Sequence, residues 1–257
     1  MGTQLLETPV VDLVYDIHGP LPAAGGHPPL VMIGQPMDAG GFRTLASHFP
    51  DRTVVTYDPR GLGRSTRKDG RVDHDPGIQA GDVHAVIEAL DAGPVEMFAS
   101  SGGAVTALAL VAAFPGDVTT GTGAGMAAFI MMTSWRGEFT DDYFAQPAPD
   151  PAVFGMPTVD DGSRDDPLLS DRSWAVSCYR PDVDALTAAR ARLVIAVGEE
   201  SLDVFTGRTS MAAAKLLSQQ PTVFPSHHGG FVGGESGYAG KPEAFARTLR
   251  EVLDGAG

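Results

Sequence analysis

The chain has 257 residues, enough for one large α/β domain or a domain with an insertion. Its composition, 43% hydrophobic and 19% charged, is that of a soluble globular protein. A formal net charge of −14 repels phosphate backbones and anionic bilayers, which argues against nucleic-acid and membrane partners. The single cysteine, Cys178, leaves no internal disulfide, and the first residues lack a basic segment followed by a long apolar run. Together these give the expectation of a cytoplasmic protein.

In chain order, Val10 to Tyr15 alternates, with Val11, Leu13 and Tyr15 opposite Asp12 and Asp16, and predicts a half-exposed edge strand. Leu30 to Ile33 is a continuous apolar run, predicting a strand buried on both faces. Phe42 to Phe49 has helical spacing, and Thr53 to Tyr57 reads as a second buried strand. Ile78 to Leu90 places Val83, Val86, Ile87 and Leu90 on one helix face, and Gly93-Pro94 ends it. Val95 to Ser101 then runs as a strand into Ser101-Gly102-Gly103, and the apolar segment 102–114 predicts a buried helix.

Past Pro115 the rhythm breaks. Val118-Thr119-Thr120 is a strand stub, and residues 121–185 hold only helical patches, a Pro-rich stretch and an acidic loop. The strand pattern resumes at Leu193 to Val197 and at Thr222 to Phe224, with helices over Arg208 to Gln219 and Pro242 to Leu253. Alternating strands and helices predict an α/β fold with a mostly parallel central sheet flanked by helices. The domain reading is a core over 1–120, an inserted helical lid over 121–185, and the rest of the core over 186–257.

In such a sheet, ligand-binding groups gather beyond the carboxyl ends of the strands. Four of these ends carry unusual residues: Gly34-Gln35-Pro36-Met37, Ser100-Ser101-Gly102, Gly198-Glu199-Glu200 and His227-His228. Small residues at 99, 102 and 103 permit a sharp turn with Ser101 at its apex. The order serine, carboxylate, histidine resembles the α/β-hydrolase fold superfamily, in its serine-nucleophile, esterase- and lipase-like members. Ala99-Ser100-Ser101-Gly102-Gly103 is similar to the family's nucleophile elbow, with Ala99 in place of the usual glycine. Asp58-Pro59-Arg60-Gly61-Leu62-Gly63-Arg64-Ser65 is similar to its structural D-x-R-G-x-G-x-S turn, and His228-Gly229-Gly230-Phe231 to its His-x-x-Phe pattern.

The resemblance implies Ser101 as nucleophile, His228 as the base that takes its proton, and the N–H groups of Gln35 and Gly102 as the oxyanion hole. Such donors are worth about 3–4 kcal/mol each. His227 is the alternative base. The family's Gly-x-x-Asp acid position falls on Ser201, so Glu200, one residue earlier, stands as the candidate acid, with Asp203 also near. The region 118–123, where some members carry the acid, has no carboxylate. Met37, Met126, Phe129 and Trp135 are candidates to line a substrate pocket, although lid packing explains the last three equally well. Arg60 and Arg64 read as a structural turn paired with carboxylates, Asp160 to Asp166 as a solvated acidic loop, and Cys178 as a small packed residue.

The expectation is a serine hydrolase, cleaving an ester, thioester or lactone of a small to medium apolar acyl compound without cofactor or metal. Serine at the elbow, where the family's dehalogenases and epoxide hydrolases use aspartate, argues against those reactions. C–C bond hydrolysis and cofactor-free perhydrolysis remain alternatives on the same triad, as does a non-catalytic small-molecule binder. The oligomeric state is not set by the sequence, and a homodimer stays open.

Overall fold

The structure, a computed structural model, describes residues 2–21, 26–71, 75–103, 135–136, 140–147, 150, 152, 178–188, 192–234 and 239–255. Its strands are β1 (Gly2–Glu7), β2 (Val11–His18), β3 (Leu30–Gln35), β4 (Val54–Tyr57), β5 (Thr66–Arg67), β6 (Glu96–Ser101), β7 (Ala196–Gly198) and β8 (Thr222–Phe224). Its helices are α1 (Arg43–Ser47), α2 (Pro76–Leu90), α3 (Asp141–Phe144), α4 (Val183–Ala188), α5 (Phe205–Leu216) and α6 (Pro242–Leu253).

The main sheet runs β1-β2-β4-β3-β6, with β5 beside β2. It is mixed, which corrects the expectation of a mostly parallel sheet. β2 is antiparallel to β1, β4 and β5, whereas β3 is parallel to β4 and β6. β7 and β8 form a separate parallel pair among the described residues. The strand at Val11 is also not an edge strand. The antiparallel partner β1 covers its outer side, with Gly2 opposite Ile17 and Glu7 opposite Asp12. β1 takes the exposed edge instead, and Leu5 there is 58% exposed.

The alternation of side chains along each strand builds two cores, one per sheet face. Leu30, Met32 and Val54 pack with Phe42, Phe49, Phe224, Phe231, Phe245 and Leu249 under α1 and α6. Val31, Ile33 and Val55 pack with Val11, Leu13, Val83 and Val86 under α2. This double covering explains why β3 is apolar without alternation and buried throughout. α2 starts at the N-cap Asp75, whose carboxylate accepts from Gly77 N–H at 2.6 Å, and ends at Asp91 in a left-handed conformation.

Beyond Gly103, the helix expected over 102–114 lies outside the described residues, as do the stub at 118–120 and most of the 121–185 segment. Within that segment the structure describes α3 and an antiparallel bridge from Arg136 to Val204, reinforced by Arg136–Asp203 at 2.5 Å. No helix among the described residues is long and apolar enough to cross a membrane.

Candidate active site

Ser101 is the last residue of β6, and Gly102 and Gly103 begin the next helix. Its φ is +55°, in the left-handed region that a β-carbon disfavours. Here the sharp reversal from strand to helix puts the serine there, and the residue is exposed. Gly103 makes the reversal possible. A β-carbon on it would lie 2.6 Å from the Gly34 Cα and 2.9 Å from the Ile33 carbonyl oxygen, both backbone atoms that cannot yield. The elbow is therefore pressed directly against the end of β3. Register places Gln35 opposite Ser101 on that neighbouring strand.

The expected oxyanion residues thus flank the serine, Gln35 across the ladder and Gly102 next in the chain. The Gln35 side chain adds something the sequence reading missed. The residue is 5% exposed, and neither its Nε2 nor its Oε1 has a hydrogen-bond partner among the described residues. The signal was present as a polar residue ending an apolar strand, but only coordinates show that its amide is unpaired. Met37 packs over Gly34 and Gly41, where β-carbons would meet its side chain at 3.0 Å and 2.7 Å respectively. Trp135 is half-buried against Tyr143, with ring centroids 5.2 Å apart. Met126 and Phe129 lie outside the described residues.

The histidine loop follows β8. Ser226 takes a positive φ of 75°, and its carbonyl accepts from Glu200 N–H at 3.0 Å while its own N–H donates to Glu199 Oε1 at 3.0 Å. Gly198 lets the two loops touch, since a β-carbon there would sit 2.8 Å from the His227 carbonyl oxygen. These bonds separate the two histidines. His227 Nδ1 accepts from Gly229 N–H at 3.1 Å, so Nε2 carries the proton and faces the Ala239 carbonyl at 3.1 Å. Both ring nitrogens of His227 are thereby occupied by backbone. His228 is an exposed residue of this loop. Desolvation, with the neighbouring His227 adding to it, holds its pKa below the ordinary histidine value. That keeps it neutral, the form a base needs.

An aromatic cluster connects serine and histidine. Phe98, three residues before Ser101, meets Phe231, three residues after His228, edge to face at 5.3 Å. Phe42 stacks on Phe231 at 5.5 Å and 7°. No hydrogen bond joins Ser101 to His228 among the described residues. Glu200 does not bond His228 either; its carboxylate accepts from Lys241 Nζ at 2.7 Å on an exposed surface. Ser201, at the family's acid position, is 4% exposed. Asp203 bonds Arg136.

The arginine turn is structural, as expected. Asp58 accepts from Ala39 N–H at 2.9 Å and from Arg64 N–H and Nε at 2.8 and 2.7 Å. Burial works to raise its pKa, but these bonds outweigh it and hold the carboxyl below its usual range. Arg64 also grips Asp16, joining the turn to β2, and Arg60 pairs with buried Asp82 at 2.5 and 2.6 Å. The bond from Ala39 anchors the Gln35–Ala39 segment beneath the site. An open groove of about 600 Å³ beside Met211, Lys215 and Pro221 lies at the amino end of β8, the end away from the His227-His228 loop.

No protein-family model and no curated protein matches the chain, but solved structures do. A thermophilic esterase from Thermogutta terrifontis gives a TM-score of 0.58 at 18% identity, covering 99% of both chains. A protein from Burkholderia cenocepacia provisionally named an aryl esterase gives 0.64 at 17% identity, covering 99% of each chain. A protein from Pseudomonas aeruginosa provisionally named an epoxide hydrolase gives 0.61 at 15% identity, over 99% of this chain and 95% of that one. At these identities the likeness speaks for the fold alone, the α/β-hydrolase fold.

Proposed function

On this α/β-hydrolase fold, we propose that the protein is a serine hydrolase, cleaving an ester, thioester or lactone of a small to medium compound through an acyl-enzyme on Ser101. The observation that carries the reading is the backbone of Ser101. A strained, exposed serine between a half-buried strand and a helix start is costly to fold, and presenting a nucleophile accounts for that cost. The esterase names of two neighbours support the same reading.

In the proposed reaction, Ser101 Oγ attacks the carbonyl carbon as His228 takes its proton. The oxyanion forms facing the N–H groups of Gln35 and Gly102. Collapse expels the alcohol or thiol, which receives the proton from His228. Water then attacks the acyl-enzyme with His228 again as base, releasing the acid and restoring Ser101. The orienting carboxylate is left out of this scheme: Glu200 fills that role only by exchanging Lys241 for His228. We place Met37 and Trp135, with Met126 and Phe129, along the acyl pocket, and assign residues 121–185 to a lid over it.

A fluorophosphonate probe tests the reading: it labels Ser101, and 4-nitrophenyl butyrate gives a burst followed by turnover that Ser101→Ala abolishes. Neither labelling nor burst would sink it. The absence of a carboxylate bonded to His228 among the described residues favours one second reading, a binder without turnover. It predicts ligand affinity that survives Ser101→Ala with no hydrolysis by the native protein.

A further inference from the structure

We infer that the Gln35 side chain is a specificity-determining group that hydrogen-bonds the substrate, so that the preferred substrate carries an uncharged donor–acceptor group, an amide or hydroxyl, close to the scissile carbonyl. The inference rests on the hydrolase reading above and narrows its substrate class. A primary amide has two donors and an acceptor with two lone pairs, and burying it unpaired is expensive. Gln35 is nevertheless 5% exposed, and both amide atoms are closed to solvent and unbonded among the described residues. Leucine or methionine would fill the same volume at the end of an apolar strand without that cost. Alternation puts Gln35 on the same sheet face as Val31 and Ile33, and the parallel register pairs it with Ser101.

Neighbouring strands lie about 4.8 Å apart, so a glutamine amide there reaches a group only a few bonds from a carbonyl held at Ser101. An amide that both donates and accepts is satisfied by a partner that does the same. Charged partners are disfavoured: among the described residues no ionised side chain bonds Gln35, and the chain's net charge of −14 repels anions. An apolar substrate leaves the amide unpaired in the complex, whereas a complementary one satisfies it. That difference is how buried polar groups discriminate between substrates.

The test is a series of 4-nitrophenyl esters of N-acetylglycine, N-acetyl-β-alanine and 4-acetamidobutanoate, each compared with the alkanoate of equal length. In the native protein at least one amide ester exceeds its alkanoate in kcat/KM by about tenfold or more. Gln35→Leu brings that ratio close to unity. The ratio is the readout, so a general loss from a displaced backbone N–H cancels. A second measurement uses native ¹⁵N-labelled protein and the methyl ketones bearing the same chains. The Gln35 side-chain NH₂ pair, assigned by its absence in Gln35→Leu, shifts with the amide ketones and not with the alkyl ones. Equal ratios in native protein and variant, or an unmoved NH₂ pair, would overturn the inference. If no ester is turned over and Ser101 is not labelled, the hydrolase reading fails, and the NH₂ shift still decides whether Gln35 binds the amide.

Discussion

Replacing Ser101 by glycine and by alanine separates the cost of the elbow from its chemistry. Both variants lose the hydroxyl, and turnover falls by at least about 10³-fold in each. Their stabilities diverge. At a φ of +55° a β-carbon costs about 1–2 kcal/mol. Alanine keeps that carbon and glycine removes it. Glycine also gains freedom in the unfolded chain, which returns about 0.4–1 kcal/mol. Ser101 is exposed, so neither substitution opens a cavity. Ser101→Gly is therefore expected to be more stable than Ser101→Ala by about 0.5–1 kcal/mol. In a chain of this size that raises Tm by roughly 1–4 °C. Urea unfolding with matched m-values measures it. Asp91, left-handed at φ 46° and remote from the strand ends that carry the site, is the control: Asp91→Gly should exceed Asp91→Ala in stability with turnover unchanged. If Ser101→Ala equals or exceeds Ser101→Gly, the strain argument fails, and with it the observation on which the hydrolase proposal stands.

Three further outcomes are expected. The acidic limb of kcat/KM against pH should have its midpoint below the ordinary histidine value of about 6.5. Partial desolvation, with His227 beside it, disfavours the imidazolium of His228, so the neutral form persists as pH falls; a midpoint at or above 7 would contradict this. Gly103→Ala forces a β-carbon into the Gly34 backbone and should cost about 2 kcal/mol or more along with activity. Gly81→Ala in α2, with nothing within 4 Å, should instead stabilise by about 0.5–1 kcal/mol, both read by urea unfolding. Glu200→Gln should leave kcat within about threefold, because the carboxylate serves Lys241; a loss of a hundredfold would instead put it behind His228.

The most apolar segments were the most legible in the sequence. β3, β4 and α6 lie where continuous runs or helical spacing put them, because burial on a defined face leaves a periodic trace. The elbow was equally legible, since three small residues around a serine between strand and helix leave few other conformations. β1 was not, because only Leu6 of it packs on the core and Gly2 to Glu7 has no alternation to read. That miss turned β2 into an edge strand and hid the antiparallel half of the sheet. α5 begins at Phe205, ahead of the Arg208 start read from apolar spacing, because its first turn carries little of the apolar pattern. In the site, the His-x-x-Phe spacing already favoured His228 over His227, and the backbone bonds that occupy both ring nitrogens of His227 agree with that reading. The partner of Glu200 was hidden, because Lys241 is distant in sequence and reaches it only through the fold.

Phe98 and Phe231 tie the strand that bears the serine to the loop that bears the histidine. The strand and the loop share no sheet hydrogen bond among the described strands, and these apolar rings are a contact that joins them. Such a contact is nearly blind to ionic strength, and it slackens in the cold as apolar hydration becomes less costly. The spacing of Ser101 and His228 is thus expected to vary with temperature. On cooling this contact weakens together with the core under α1 and α6 to which its rings belong.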